Sequence, residues 1–224
     1  NEAEEPVMEK ISKEQIKALF ESKFLRVFDI QYAEGKHYYS ATRRPADRLA
    51  AVMSREQFQN MVPDAVSCFV VMKEDGKEPV LLLTREFRYP VGRYVLSVPA
   101  GLIDPEDEGN ESPQLAAAAR EIQEETGIVI SGTDSLKLVN PLVFSTPGMT
   151  DESNALVCAV VHPTGEFRLT QEGAVGSEKF DGFVPVTKTD AEKLLKTGRD
   201  ADGNFYSAYT WMALMYFVSG MWEA

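Results

Sequence analysis

Arg120-Glu121-Ile122-Gln123-Glu124-Glu125-Thr126-Gly127-Ile128 is the stretch from which the rest of this chain can be read. At 3.6 residues per turn, Glu121, Glu124 and Glu125 stand at i, i+3 and i+4, so three carboxylates share one helix face. Like charges at that spacing repel and weaken an isolated helix. Either water with dissolved salt or a bound cation has to offset the repulsion. A solvated charged face is the ordinary reading of a Glu-Glu pair. The specific one is a hard divalent ion, which takes oxygen ligands and is held by one or two carboxylates plus substrate phosphates.

The flanks favour the specific reading. Ser112-Pro113 predicts an N-cap and first helical residue, and Leu115–Ala119 is strong helix-forming sequence. Gly127 falls where a left-handed residue would end the helix. Upstream, Tyr94–Val98 predicts a strand closed by Pro99-Ala100-Gly101, and an acidic, proline-bearing loop joins it to the helix. A strand, a loop and a short helix with an acidic face suit a metal-diphosphate site better than the glutamates alone do.

At this point the chain resembles the Nudix hydrolases, whose box reads G-x5-E-x7-R-E-U-x-E-E-x-G-U, with U a bulky aliphatic residue. Arg120 through Ile128 matches its second half at every fixed position, and Gly101 matches its start. The Gly-to-Arg interval is five residues longer than the pattern, and strict counting back puts the box glutamate on Ser112. Glu111, directly before the Ser-Pro helix start, is the better match. Glu86-Phe87-Arg88-Tyr89-Pro90, Pro99–Asp104 and Ser145–Glu152 are similar to the ADP-ribose and ADP-sugar pyrophosphatase branch. Many of those relatives have glutamate two residues before Pro-Ala-Gly, where this chain has Ser97.

The resemblance implies Mg²⁺-dependent, or Mn²⁺-dependent, hydrolysis of a nucleoside diphosphate linked to another group, with AMP and a sugar phosphate as products of ADP-ribose. Cations would neutralise the diphosphate and generate the nucleophile. It implies Glu121, Glu124, Glu125 and the Ala100 carbonyl as metal ligands, with Arg120 anchoring the acids and Glu124 completing the catalytic cluster. Arg88 would bind phosphate or ribose oxygens, a role suited to a guanidinium, unless it pairs with Glu86. Phe24 and Tyr39 would lie against adenine or pack in a dimer core. Arg44 and Glu152 fall at substrate-contacting positions. The general base would be Glu178, with Glu172 as the alternative. Two other readings remain: a Nudix pyrophosphatase acting on another nucleotide sugar or a dinucleotide, and a non-catalytic nucleotide-binding Nudix domain.

Composition bounds the rest. The 224 residues suffice for one large domain or a domain with an extension, and a net charge of −12 leaves no basic stripe for nucleic acid. Cys68 and Cys158 lie in apolar runs without metal-like spacing, which predicts reduced, buried thiols in a cytoplasmic protein. The acidic start, Asn1–Glu5, does not read as a signal peptide. Phe205–Trp222 lacks charge, but its hydroxyl residues and missing Lys/Arg flank predict a buried helix rather than a membrane span.

Taken in order, residues 1–62 predict an N-terminal dimerisation region and 63–224 the hydrolase domain. Ser12–Ser22 predicts an amphipathic helix, and Phe24–Tyr32 and His37–Thr42 a hairpin turning at Gly35. Ala46–Met61 predicts a helical connector. Strands follow at Ala65–Met72, Val80–Arg85, Leu136–Phe144, Asn154–Val161 and Phe183–Val186, with helices at Asp190–Lys196 and Tyr206–Met221. The order argues α+β: a mixed β-sheet flanked by helices, an α/β/α sandwich with an N-terminal antiparallel hairpin extension.

Overall fold

Two central strands, buried along their whole length, turn alternate side chains to opposite faces and so build the core. The computed structural model describes residues 11–104, 106–163, 168–173 and 178–224, and these fall into two compact units. The described residues up to Asp64 form one unit together with Phe144–Ser153; Ala65–Val143 and Asn154–Ala224 form the other.

In the first unit, β1 (Ile16–Glu21), β2 (Arg26–Ala33) and β3 (Lys36–Thr42) form an antiparallel sheet in that order. The hairpin is therefore present, and Gly35 turns it at a φ of 65°. The helix expected at Ser12–Ser22 is not formed. A single 3-10 turn at Lys13–Gln15 leads directly into β1, where Ile16 pairs with Ile30 and Ala18 with Phe28. A segment this short makes a marginal helix on its own, whereas the edge of β2 supplies ladder partners on both sides of a bulge at Ala18–Phe20, and Ile16 packs on Phe28, Leu49 and Val52. The connector expected at Ala46–Met61 is also interrupted. Leu49 and Met53 are extended, which leaves two 3-10 turns and a short α1 (Arg55–Gln59) opened by a Ser54–Gln57 capping box.

Phe144–Ser153 belongs to this unit through buried polar groups. Asp64 accepts hydrogen bonds from Arg44 Nε at 3.0 Å and Nη2 at 2.8 Å, and from Ser153 N at 2.9 Å. Asp151 accepts from the Thr42 hydroxyl and, at 3.0 Å, from Ala50 N.

In the second unit, β4 (Ala65–Met72) lies between β5 (Val80–Arg88) and β9 (Ser153–Val161), parallel to β9 and antiparallel to β5. β10 (Phe180–Val186) and β8 (Ser135–Phe144) complete the path β10-β5-β4-β9-β8, with β6 (Arg93–Ser97) on β5 and β7 (Ala100–Leu102) on β4. The sheet is mixed. Phe69, Val71, Leu81, Leu83, Leu156 and Cys158 point to one face, where α3 (Lys188–Thr197) and α4 (Ala208–Val218) cover them with Ala191, Leu214 and Phe217. Val66, Cys68, Val70, Leu82, Ala155 and Val157 point to the other, under Ala118 and Ile122 of α2 (Pro113–Thr126). The α/β/α layering follows from this period-two alternation.

Cys68 and Cys158 are free and sit on opposite faces of adjacent strands, so no disulfide joins them. The apolar segment near the C-terminus folds as α4 and a closing 3-10 turn at Met221–Glu223, and no described helix is long and apolar enough to cross a membrane.

Ile122 is fully buried at the centre of the α2 contact. Ile122→Ala is expected to lower unfolding free energy by about 2–5 kcal/mol. In urea titration this should lower the midpoint and leave the slope unchanged, as expected for a cavity.

Candidate active site

Three local features put the acidic helix where the sequence requires it. Pro113 opens α2 after Ser112, Gly127 closes it at a φ of 75°, and β7 runs along its acidic side. Gly101 of β7 meets that side closely: a Cβ at this position would lie 2.0 Å from the Glu121 carboxyl carbon. The glycine is required for space, because any side chain would displace the carboxylate. One residue before it, Ala100 donates its N–H to Glu125 Oε1 at 3.2 Å.

Arg120 spreads its guanidinium across the acids. Nη1 donates to Glu121 Oε1 at 2.6 Å and Glu124 Oε2 at 3.3 Å. Nη2 donates to the Leu102 carbonyl at 2.9 Å and Asp107 Oδ2 at 2.9 Å, with Asp104 Oδ2 at 3.5 Å. The loop expected merely to lengthen the Gly-to-Arg interval thus delivers a buried carboxylate, and Asp107 also accepts the Asp104 N–H at 2.9 Å. Glu111 is exposed and forms no hydrogen bond or ion pair among the described residues.

Burial and mutual repulsion make Glu86, Glu121 and Glu125 weak acids. Glu121 is 5% exposed and Glu125 3%. Burial raises the Glu121 carboxyl to about 7, with Glu124 and Glu178 adding to the rise and Arg120 opposing it. Glu125 is raised well above the usual carboxylate range, first by burial and then by the charges of Glu86, Glu121 and Glu178. Glu86, buried on β5, is raised by burial against the pull of Arg88 and a hydrogen bond from Ser97. Arg120 is held firmly charged: burial opposes the charge, but Asp107 and Glu121 outweigh it.

Oε2 of Glu125 is buried without a hydrogen-bond partner, a costly condition for a carboxylate. An oxygen-only donor set with one buried, unshared carboxylate oxygen fits a hard divalent cation. Among the described residues no three acidic, histidine or cysteine side chains converge on one point. Glu121 and Glu124 are turned onto Arg120, whose charge stands against theirs in this conformation.

The remaining expected residues divide between the two units. Arg88, half-exposed, pairs with Glu86 Oε2 at 2.7 Å. Glu178 is exposed just before β10, and its charge acts on Glu86, Glu121 and Glu125. Glu172 precedes Gly173, which packs against the Glu124 backbone. In the first unit Phe24 and Tyr39 are exposed. Arg44 is buried and engaged with Asp64, the Val62 carbonyl and Ser153. Glu152 Oε1 accepts from Arg43 Nε at 3.0 Å.

Sequence reasoning missed Asp107 as a contributor and treated Glu86 only as a partner for Arg88. The signal for Glu86 was present: Thr84 and Glu86 stand at i and i+2 in one strand, so both face the same side, opposite to Arg85. The signal for Asp107 was present too: five residues separate it from Gly101, the interval at which the G-x5-E start of the box puts its acid.

The comparisons agree with this geometry. The family model for the NUDIX domain matches residues 61–209. An ADP-ribose pyrophosphatase of Bacillus subtilis is 32% identical over 69% of this chain and 71% of its own length. An ADP-sugar pyrophosphatase of Mus musculus is 30% identical over 57% of this chain and 54% of its own. The chain spans less still, 38% and 42%, of other curated relatives. A crystal structure of an ADP compounds hydrolase aligns with a TM-score of 0.53 at 20% identity, covering 92% of this chain and 90% of that one. That likeness concerns the fold.

Between pH 4.5 and 7 the folded protein keeps a proton on Glu121 that the unfolded chain has largely released. More protons on the native state means that stability falls as pH rises through this window. In chelator, the melting temperature is expected to drop from pH 5.5 to pH 7.5, and Glu121→Gln to flatten the drop. A wild-type melting temperature that climbs over this range would contradict the assignment.

Proposed function

We propose, on the premise that the chain belongs to the Nudix family, that it hydrolyses the diphosphate bond of ADP-ribose or a related nucleoside-diphosphate sugar. The products would be AMP and a sugar phosphate. The observation that carries this reading is the buried, unshared oxygen of Glu125 at the end of an acidic helix. The mouse and Bacillus relatives, named for ADP-sugar and ADP-ribose, support the substrate class.

The chemistry assigns roles to the chain's own groups. Glu121 and Glu125, with Glu124 and the Ala100 carbonyl, would hold Mg²⁺ or Mn²⁺. When bound, the cation supplies neutralisation of the diphosphate and a water of lowered pKa. Arg120 holds Glu121 and Glu124 by charge-assisted hydrogen bonds in the absence of the cation, so these acids stay oriented. Arg88 offers a half-exposed guanidinium for phosphate oxygens, and Glu86 holds its other side. Glu178, an exposed carboxylate whose charge reaches the buried acids, is the candidate to take the proton from the attacking water. The exposed rings of Phe24 and Tyr39 are suited to a base, and Glu152 to a sugar hydroxyl. Arg44 would support the substrate side indirectly, because its guanidinium is already committed to Asp64.

The exposed Leu19, Phe20, Tyr32, Tyr38 and Tyr39 of the three-stranded sheet, with Phe24 in the turn between β1 and β2, support a homodimer through the N-terminal hairpin. Two free, buried cysteines support a cytoplasmic location.

Incubation with a panel of nucleotide sugars and Mg²⁺, read by mass spectrometry, is expected to yield AMP and ribose 5-phosphate from ADP-ribose. Glu125→Gln should lower turnover by roughly 100-fold or more, on the scale of losing a charge-stabilising group, while circular dichroism stays unchanged. Wild-type turnover in that variant would remove the mechanism. Light scattering at micromolar concentration is expected to give twice the chain mass; a monomeric mass would remove the dimer.

A further inference from the structure

We propose that Arg93, at the start of β6, joins Arg88 as a second guanidinium for the diphosphate of the substrate, so that each phosphate group meets one arginine. The inference rests on the reading of this site as one that takes a nucleoside diphosphate.

The register of β5 and β6 brings the two arginines together. Arg88 and Arg93 are directly opposed at the end of the antiparallel ladder, where Val91 and Gly92 of the turn donate their N–H groups to the Arg88 carbonyl at 3.0 and 2.9 Å. Directly opposed residues send their side chains to the same face, with Cβ atoms about 4.5–5.5 Å apart. By period-two alternation that face also carries Glu86 and Thr84 on β5, and Val95 and Ser97 on β6. Glu86, whose charge acts on Glu125, therefore connects the arginine pair to the acidic helix. The opposite face of the hairpin is already filled. There Phe87 and Tyr94 meet edge to face at 5.3 Å between ring centroids, with the Lys179 ammonium over both rings.

The charge balance of the pair calls for an anion. Like charges directly opposed across a ladder destabilise a sheet. Glu86 compensates one of the two, through Arg88 Nη2 at 2.7 Å. Arg93 is exposed, and its side chain forms no hydrogen bond or ion pair among the described residues. This is so in a chain with 35 acidic residues against 23 lysines and arginines. Arg85, on the other face of the same strand, is met by both Asp181 and Asp202.

The chemistry of the ligand follows from the donors. A guanidinium presents a planar fork that matches two oxygens of one phosphate group. Two forks side by side suit two linked phosphate groups better than one. The acids of α2 repel a diphosphate until a cation covers them. The arginine pair lies two residues along β5 from Glu86, about 7 Å at the rise of a strand, and supplies the donors that those acids lack.

The test is calorimetric titration of the full chain, in Mg²⁺, with adenosine α,β-methylene diphosphate, whose carbon bridge resists hydrolysis. AMP is the reference with a single phosphate. The variants are Arg93→Gln and, as a control, Lys188→Gln, an exposed cation beyond Val186, which pairs with Leu81 at the far end of β5. Arg93→Gln is expected to weaken the methylene analogue about tenfold, the lower range for losing a charge-assisted hydrogen bond, and AMP less than about twofold. Lys188→Gln should change neither. The melting temperature of Arg93→Gln should not fall, because the substitution removes a like-charge pair; a structural role for Arg93 would lower it. In ADP-ribose turnover, KM should rise about tenfold and kcat stay within about threefold, as for a contact made equally in the ground and transition states.

Wild-type affinity of Arg93→Gln for the analogue, or equal losses for the analogue and AMP, would overturn the proposal and leave the hydrolase reading standing. Analogue binding that depends on Arg93, in a protein that hydrolyses no nucleotide sugar, would support the arginine pair and remove the hydrolase reading. Failure of the wild type to bind the analogue would overturn both.

Discussion

Arg120 divides one guanidinium between two sets of acids, and the local structure around α2 depends on that division. On one side stand Glu121 and Glu124 of its own helix; on the other stand Asp107 and the Leu102 carbonyl. Each charge-assisted hydrogen bond of this type is worth about 1.5–3 kcal/mol. That scale is enough to hold carboxylates in an orientation that their mutual repulsion would otherwise scatter. Glu125 is left outside the arrangement, with one oxygen on the Ala100 N–H and the other unpaired and buried. The protein thus pairs Glu121 and Glu124 with a guanidinium and leaves one oxygen of Glu125 unpaired.

The same economy of space governs the backbone. Gly101 admits the Glu121 carboxyl, and Gly173 lies so close to the Glu124 backbone that a Cβ would approach its carbonyl oxygen to 2.5 Å. Both ends of the acidic face are therefore bounded by residues with no side chain. Behind the helix, the fully buried Ala117, Ala118 and Ile122 seat it on the sheet. Rigid placement of ligands on a packed helix gives more precise geometry than a loop could.

How much of this the chain discloses in one dimension depends on the range of the forces involved. α2 was legible end to end, because proline, glycine and the glutamate spacing act within a few residues. Apart from β7, taken only as the end of the preceding strand, the strands of the mixed sheet were legible from apolar runs, and the shared face of Glu121, Glu124 and Glu125 from helical periodicity. β1 was misread because Ile16, Leu19 and Phe20 recur at helical spacing; pairing with the edge of β2 overrides that local pattern. The connector at Ala46–Met61 was misread because Leu49 turns inward to pack with Phe28, a tertiary contact that outweighs helix propensity. Asp107 is overlooked when the box is counted back from Arg120 across the lengthened interval, and found when it is counted forward from Gly101.

Phe144–Ser153 has a practical consequence for anyone dividing the chain. It leaves β8 to join the first unit and returns along β9, and its buried polar groups are satisfied by Thr42, Arg44, Ala50 and Asp64. A fragment beginning at Ala65 would carry Asp151 and Ser153 into solvent stripped of those partners. The boundary between the units is thus a poor place to cut, and expression of either half alone would start from a loop with its anchors removed.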